Sequence, residues 1–206
     1  MKTLLEIRSS IYSDGGQSSR LADRFVAQWR AANADGKVIV RDLAREPVPH
    51  IDAARFGSFL ATAKERTPAQ QAIVAYSDAL IEELQTADVI VFAVPMYNFG
   101  IPSTLKAYFD HVARAGVTFR YTANGPEGLL TGKHAYVFAA RGGLYAGTAR
   151  DTQTPYLREF LGFVGITEVE FVYAEGMAIS DAHREQALAS ANAHIAELVA
   201  PELEAA

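Results

Sequence analysis

Residues 95–100, Pro95-Met96-Tyr97-Asn98-Phe99-Gly100, set an amide, two aromatic rings and a thioether where an apolar run empties into a loop. Asn98 offers both a donor and an acceptor, the pair needed at the edge of a heterocycle. Met96, Tyr97 and Phe99 supply apolar or aromatic surface beside it. Pro95 and Pro102 restrict the backbone between them, so its N–H groups are held at fixed positions. Core packing around an Asn turn is the competing reading of the same residues.

Two further segments carry comparable chemistry. "SSIYSDGGQSSRL", from Ser9, is rich in hydroxyls and leads into a helix near Ser18. A helix start presents unpaired N–H groups and about half a positive charge, which suit a phosphate. Ser10, Gln17 and Ser18 add side-chain donors beside Gly15 and Gly16, against ordinary N-capping by serine. The third segment begins Ala140-Arg141-Gly142-Gly143. Its glycine pair lets a backbone approach a planar ligand, or simply makes a turn. Arg141 suits a carbonyl-bearing ring edge or a surface ion pair.

Other chemistries lack their residues. There is no G-x-x-x-x-G-K-[ST] loop, and "TGKHA" at 131–135 has His134 in place of the hydroxyl. G-x-G-x-x-G and G-x-S-x-G are both missing. His50, His111, His134, His183 and His194 are scattered without metal-ligand spacing. With no cysteine, disulfides, iron–sulfur clusters and thiol nucleophiles are excluded. A formal charge of −5 without a basic run argues against nucleic acid or an anionic membrane as partner. Glu6 and Arg8 interrupt the N-terminal apolar stretch, and no run approaches the roughly 18 residues of a membrane span. A cytoplasmic protein is expected.

The elements that must position these loops follow from periodicity. Apolar runs at Thr3–Ile7, Val38–Arg41, Asp88–Val94, His134–Ala140 and Glu168–Tyr173 read as strands. Between them lie helical patterns, one with Leu21, Phe25 and Trp29 on a single stripe, another opening with Thr67 as N-cap and Pro68 at the first position. Further helices are expected over about Pro102–Ala115 and Thr154–Phe163, and from Asp181 towards Leu198. Strand–helix alternation predicts an α/β fold, a doubly wound parallel sheet with right-handed crossovers. One domain, 1–206, is expected, with insertions near 44–66 and 117–131, the latter a β-excursion with a Gly-Pro turn. In such a sheet all three loops gather at the carboxyl ends of the strands. A phosphate cradle beside amides, aromatics and glycines fits flavin mononucleotide better than a sugar phosphate or a metal ion.

"PMYNFGIPSTLKAYFD" resembles the P-x-Y-N-x-x-x-P-x-x-L-K-x-x-x-D signature of flavin-dependent NAD(P)H oxidoreductases with a flavodoxin-like fold. "HVARAGVTFRYTANGPEGLLTGK" narrows the resemblance to the FMN-dependent NADH-azoreductase and quinone oxidoreductase family. The likeness extends to "VRDLA", "ARGG", "TPYLREFLGFVGI" and "FVYAEG", nearly the whole chain. It implies a five-stranded sheet ordered 2-1-3-4-5. It assigns FMN contacts to Ser10 and Gly16–Ser18, to Met96–Phe99 and to Ala140–Gly143. Ala140 departs from a serine frequent in the family, so a hydroxyl contact there is lost and a backbone contact survives.

The resemblance further implies NADH as electron donor, with NADPH as an alternative, and a homodimer whose two sites draw on both subunits. Asn98, Phe119, Tyr121 and Phe163 are the candidate substrate lining, and Arg55 and Arg66 candidates for the dinucleotide. No catalytic side chain is assigned. Hydride would pass to the flavin and on to the acceptor in two stages, one cycle for a quinone and two for full cleavage of an azo bond. A dedicated quinone or flavin reductase, or a flavodoxin-like electron carrier, would share most of these residues. A phosphoacceptor receiver is disfavoured because Asp42 follows the second strand and not the central one.

Overall fold

The computed structural model describes residues 1–204, with side chains through residue 199. Along the chain lie β1 (Thr3–Arg8), α1 (Gln17–Ala32), β2 (Lys37–Asp42), α2 (Ala53–Leu60), α3 (Pro68–Thr86), β3 (Val89–Pro95) and α4 (Ser103–Val112). They are followed by β4 (Phe119–Thr122), β5 (Gly125–Gly128), β6 (His134–Ala140), α5 (Gln153–Val164), β7 (Glu168–Ala174) and α6 (Asp181–Glu204).

β3 is buried at every position. A strand with no polar face must be covered on both sides, and it lies at the centre of a five-stranded parallel sheet ordered β2-β1-β3-β6-β7. Numbered by the strands of this sheet alone, that is the expected 2-1-3-4-5. Adjacent strand residues point to opposite faces, so β3 divides its side chains between two cores. Ile90, Phe92 and Val94 pack with Leu80, Leu84, Leu105, Phe109 and Leu157 of α3, α4 and α5. Val89, Val91 and Ala93 pack with Leu21, Phe25 and Trp29 of α1 and with Ile195 of α6. α3 begins as expected, with Thr67 and Gln70 forming a reciprocal capping box and Pro68 in the first turn.

The insertion at 44–66 folds as α2 and is pinned through His111. The Nε2 of this fully buried ring lies 3.1 Å from the Pro49 carbonyl oxygen, and Phe59 and Tyr76 meet the ring edge to face. Burial, then the charge of Arg55, holds its pKa below the ordinary histidine range.

The insertion at 117–131 is a two-stranded antiparallel ribbon, β4–β5, with one correction to the expectation. Its turn falls at Ala123-Asn124. Gly125 and Pro126 belong to β5, where Gly125 (φ 107°) faces Thr122 and Pro126 faces Tyr121. Pro126 is tolerated because the ribbon has no third strand needing its missing N–H.

Gly128 docks the ribbon on the end of α5. A β-carbon there would stand 2.1 Å from the Gly165 nitrogen and 2.4 Å from the Val164 carbonyl carbon, both backbone atoms. Gly128→Ala is therefore expected to lower stability by about 1–3 kcal/mol, as overpacking does. It should also expose Phe119, which is 7% exposed against Phe163. Urea midpoints and binding of a hydrophobic dye would register both changes.

Candidate functional site

The loops leaving β1, β3 and β6 meet at the carboxyl edge of the sheet. They enclose a cavity of about 230 Å3 lined by Ser10, Tyr12, Gly16, Gln17, Pro95, Met96, Tyr97, Ala140, Arg141, Gly142 and Met177. Eight of the twelve expected cofactor contacts are among these residues. Ser18, Asn98, Phe99 and Gly143 stand just outside the lining, and Tyr12, Pro95 and Met177 were not expected.

In the first loop a 3-10 turn (Ser13–Gly15) precedes α1. Ser13 sits at φ 51°, and its hydroxyl donates to the Asp42 carboxylate. Asp42 also accepts the Ala44 N–H at 2.9 Å, so its carboxylate fastens a turn. Gly16 has an ordinary φ of −70°, and its requirement is closeness. A β-carbon there would lie 2.3 Å from the Ser10 Oγ. The first bond inside α1 runs from the Arg20 N–H to the Gly16 carbonyl, so the N–H groups of Gln17, Ser18 and Ser19 precede the ladder. The Ser18 and Ser19 hydroxyls are buried and have no hydrogen-bond partner among the described residues. Buried hydroxyls are ordinarily satisfied, and two orphans in the first turn of a helix form a donor set that a phosphate would complete.

In the second loop Tyr97 and Gly100 exchange both backbone hydrogen bonds at 3.0 Å. Asn98 (φ 49°) and Phe99 (φ 67°) between them are both left-handed, as a two-residue hairpin turn of this type requires. Asparagine tolerates that region and phenylalanine rarely enters it, so the surroundings must hold the turn. The Thr152 hydroxyl donates to the Phe99 carbonyl. The fully buried Gln153 amide donates to the carbonyls of Pro95 (3.0 Å) and Gly100 (3.3 Å), the two ends of the loop. The Tyr97 hydroxyl accepts the Ile11 N–H at 3.2 Å and lies 3.4 Å from the Ser10 Oγ, tying the first two loops together. Asn98 is exposed, and its amide has no side-chain hydrogen bond among the described residues.

In the third loop the Arg141 guanidinium points inward. It is 1% exposed and donates to Gln153 (3.0 Å), Asp151 (3.0 Å), Glu175 (3.0 Å) and Thr154 (2.8 Å), with the Tyr173 ring beneath it. Neither a surface ion pair nor a free cation results, and four of its five N–H donors are spent inside the protein. Around Asp151, burial raises the pKa, but bonds from Thr154 and Arg141 outweigh it and hold the carboxyl below the ordinary aspartate range. Gly142 lines the cavity, whereas a β-carbon on Gly143 would meet the Tyr145 hydroxyl at 2.8 Å. The Ala140 carbonyl accepts the Met96 N–H at 3.0 Å. N–H groups of Gly176, Met177 and Ala178 bond to carbonyls of Gly143, Arg141 and Gly142, which brings a fourth strand-end loop to the site. Its signal was the glycine of "AEGM" directly after β7.

The aromatic trio assembles elsewhere. Phe119 lies 4.3 Å from Phe163 and 5.5 Å from Tyr121, ring centre to ring centre. Phe119 and Tyr121 line a separate cavity of about 420 Å3 with Phe56, Phe59, Leu60 and Arg114. Neither Arg55 nor Arg66 lines the cavity between the three loops, and the Arg66 Nε donates to the Ala61 carbonyl.

A five-stranded parallel sheet of this order, with its ligand-competent loops at the carboxyl edge, defines the flavodoxin-like class. The chain belongs to the flavodoxin-like fold family, which matches residues 1–199. It is 54% identical over 200 residues to the FMN-dependent NADH:quinone oxidoreductase of Cellvibrio japonicus, covering 97% of this chain and 100% of that one. A Burkholderia lata protein, FMN-dependent NADH:quinone oxidoreductase 6, is 56% identical over 95% of this chain and 99% of its own. Among solved structures, an FMN-dependent NADH-azoreductase from Bacillus anthracis in complex with FMN superposes with a TM-score of 0.88 at 26% identity, covering 98% and 99% of the two chains. No helix among the described residues is long and apolar enough to cross a membrane.

Proposed function

We propose that the chain is a single flavodoxin-like domain that binds FMN between the loops after β1, β3 and β6 and passes two electrons from NADH to quinones. Aromatic azo compounds are the second acceptor class, each needing two turns of the cycle. The observation that carries this reading is an anion-competent start of α1, with two buried unpartnered hydroxyls, opening beside a cavity walled by Met96, Tyr97 and the Gly142 backbone.

Ser10, Gly16, Gln17 and Ser18 hold the phosphate, and the backbones of Ala140–Gly142 lie along the ring edge. Bound FMN supplies the electron-transfer chemistry, which is why the loops present binding groups and no nucleophile. The chain supplies position. Reacting atoms must be held about 3–3.5 Å apart, and the braces on Tyr97 and on residues 95–100 fix that wall. The free Asn98 amide orients whichever partner stacks there, donor first and acceptor second, in a ping-pong sequence. Solvent supplies protons. Phe119, Tyr121 and Phe163, assembled away from the cofactor loops of their own chain, line the site of a second copy in a homodimer. Tyr121 is 75% exposed and Phe56 and Leu60 are 56% and 69% exposed, an apolar surface of the kind a partner covers.

The test is anaerobic titration of the purified yellow protein with NADH, followed by quinone. Stoichiometric bleaching of the flavin bands and recovery on quinone addition are expected. A protein that stays colourless and gives no heat with FMN in calorimetry refutes the proposal. A bound flavin that NADH fails to bleach would leave a passive electron carrier.

A further inference from the structure

Beside the Asn98-Phe99 turn stands a cation that makes no ion pair among the described residues. Arg150 lies over the rings of Phe99 (5.5 Å) and Tyr145 (5.7 Å), which meet edge to face at 5.9 Å. It is exposed and pairs with no carboxylate among the described residues. Its neighbour Asp151 is committed to Arg141, as is Glu175, and neither carboxylate reaches the Arg150 guanidinium.

The loop that presents Arg150 is fixed. The Glu175 carboxylate takes the N–H groups of Tyr145 and Ala146 at 3.0 Å, and the Asp151 N–H bonds to the Thr148 carbonyl at 3.1 Å. The Thr148 hydroxyl takes the Arg150 N–H at 3.2 Å, and Thr152 holds Phe99. A guanidinium stacked on aromatic rings keeps its in-plane donors free for a planar or tetrahedral oxyanion.

Phe99 is also one wall of a second cavity, about 440 Å3, which shares no lining residue with the first. Ile101 and Tyr156 give it an apolar floor, and His50 and Lys106 stand at its edge. Lys106 is paired with Asp110. Burial, then Asp110, pushes the Tyr156 pKa up to about 12, so its hydroxyl stays neutral. An apolar hollow beside a preorganised, unpaired cation suits an aromatic ring that bears one anionic substituent.

We propose that Arg150 selects electron acceptors by charge, binding the sulfonate or carboxylate of an aromatic acceptor whose ring lies against Phe99. This rests on the oxidoreductase reading above and adds to it the substrate subclass and the residue that chooses it. Arg150 is a specificity residue and takes no part in electron transfer.

The experiment compares 1,4-naphthoquinone-2-sulfonate with 1,4-naphthoquinone on the FMN-loaded protein, in the parent and in Arg150→Ala. The parent should favour the sulfonate in kcat/KM, and the preference should shrink as salt screens the charge. Arg150→Ala should lower the sulfonate-to-neutral ratio about tenfold, as for one lost charge-assisted hydrogen bond. Arg150→Lys should restore part of it. Calorimetry with naphthalene-2-sulfonate, which accepts no electrons, should show the same loss of affinity. A ratio unmoved by Arg150→Ala overturns the proposal, as does a loss confined to flavin reduction by NADH. If neither quinone is turned over by the parent, the oxidoreductase reading fails and this inference falls with it.

Discussion

Arg141→Met is expected to cost about 3–5 kcal/mol of folding stability, the loss typical when one member of a buried ion pair is removed. Methionine fills much of the space of the arginine stem but leaves two carboxylates behind. Asp151 and Glu175, whose side chains are 5% and 13% exposed, would then stay largely buried without the cation they share.

 Removing the whole set of charges should cost less than removing the cation alone. Arg141→Met combined with Asp151→Leu and Glu175→Met ought therefore to recover part of the loss. Recovery stays incomplete because Asp151 also accepts the Thr154 N–H and hydroxyl, and Glu175 the N–H groups of Tyr145 and Ala146.

The same substitution changes the acid limb of stability. With its folded pKa held low, Asp151 contributes stability that is fully present above its unfolded pKa and is lost as pH falls through the folded value. Without Arg141 the folded pKa rises, so the loss begins at a higher pH. Urea midpoints measured from pH 7 down to pH 3 would follow both effects. A variant as stable as its parent at pH 7, with an unchanged acid limb, would mean that the arginine hub holds nothing together.

The sheet could be read from the chain because its determinants are local. An unbroken apolar run such as "VIVFAV" between helical patterns suits a strand covered on both faces, and strand–helix alternation points to a parallel sheet, while the strand order came from the family resemblance. The ribbon turn was misplaced because Gly125-Pro126 carries turn chemistry, while the backbone uses the glycine one step later, at φ 107° opposite Thr122. The three loops were foreseen as neighbours through topology alone. What Arg141 does was not, since its partners at 151, 153, 154 and 175 reach it only after α5 and β7 have packed. The left-handed Phe99 was equally hidden. No local preference predicts it, and the bonds from Thr152 and Gln153 that sustain the turn come from more than fifty residues away.

Gly16→Ala is expected to weaken FMN binding on the order of a hundredfold, about 2.7 kcal/mol, in calorimetric titration of the flavin-free chain. The added carbon would stand 2.3 Å from the Ser10 Oγ and 2.6 Å from the Ser10 β-carbon. Ser10 is buried, and its hydroxyl already takes the Tyr12 N–H at 3.2 Å, so it has nowhere to retreat. The backbone must move instead, and with it the N–H groups at the start of α1 that are proposed to meet the phosphate. The flavin-free protein should lose only about 1–3 kcal/mol of stability, which separates a binding defect from unfolding. Gly15→Ala is the control, because its β-carbon would meet nothing closer than the Tyr12 β-carbon at 3.8 Å, an ordinary contact. If Gly16→Ala binds FMN as tightly as the parent, the start of α1 is not the phosphate cradle, and the two orphan hydroxyls of Ser18 and Ser19 need another explanation. If both glycine variants lose FMN equally, the loop acts through its flexibility, and the closeness of Gly16 to Ser10 is incidental.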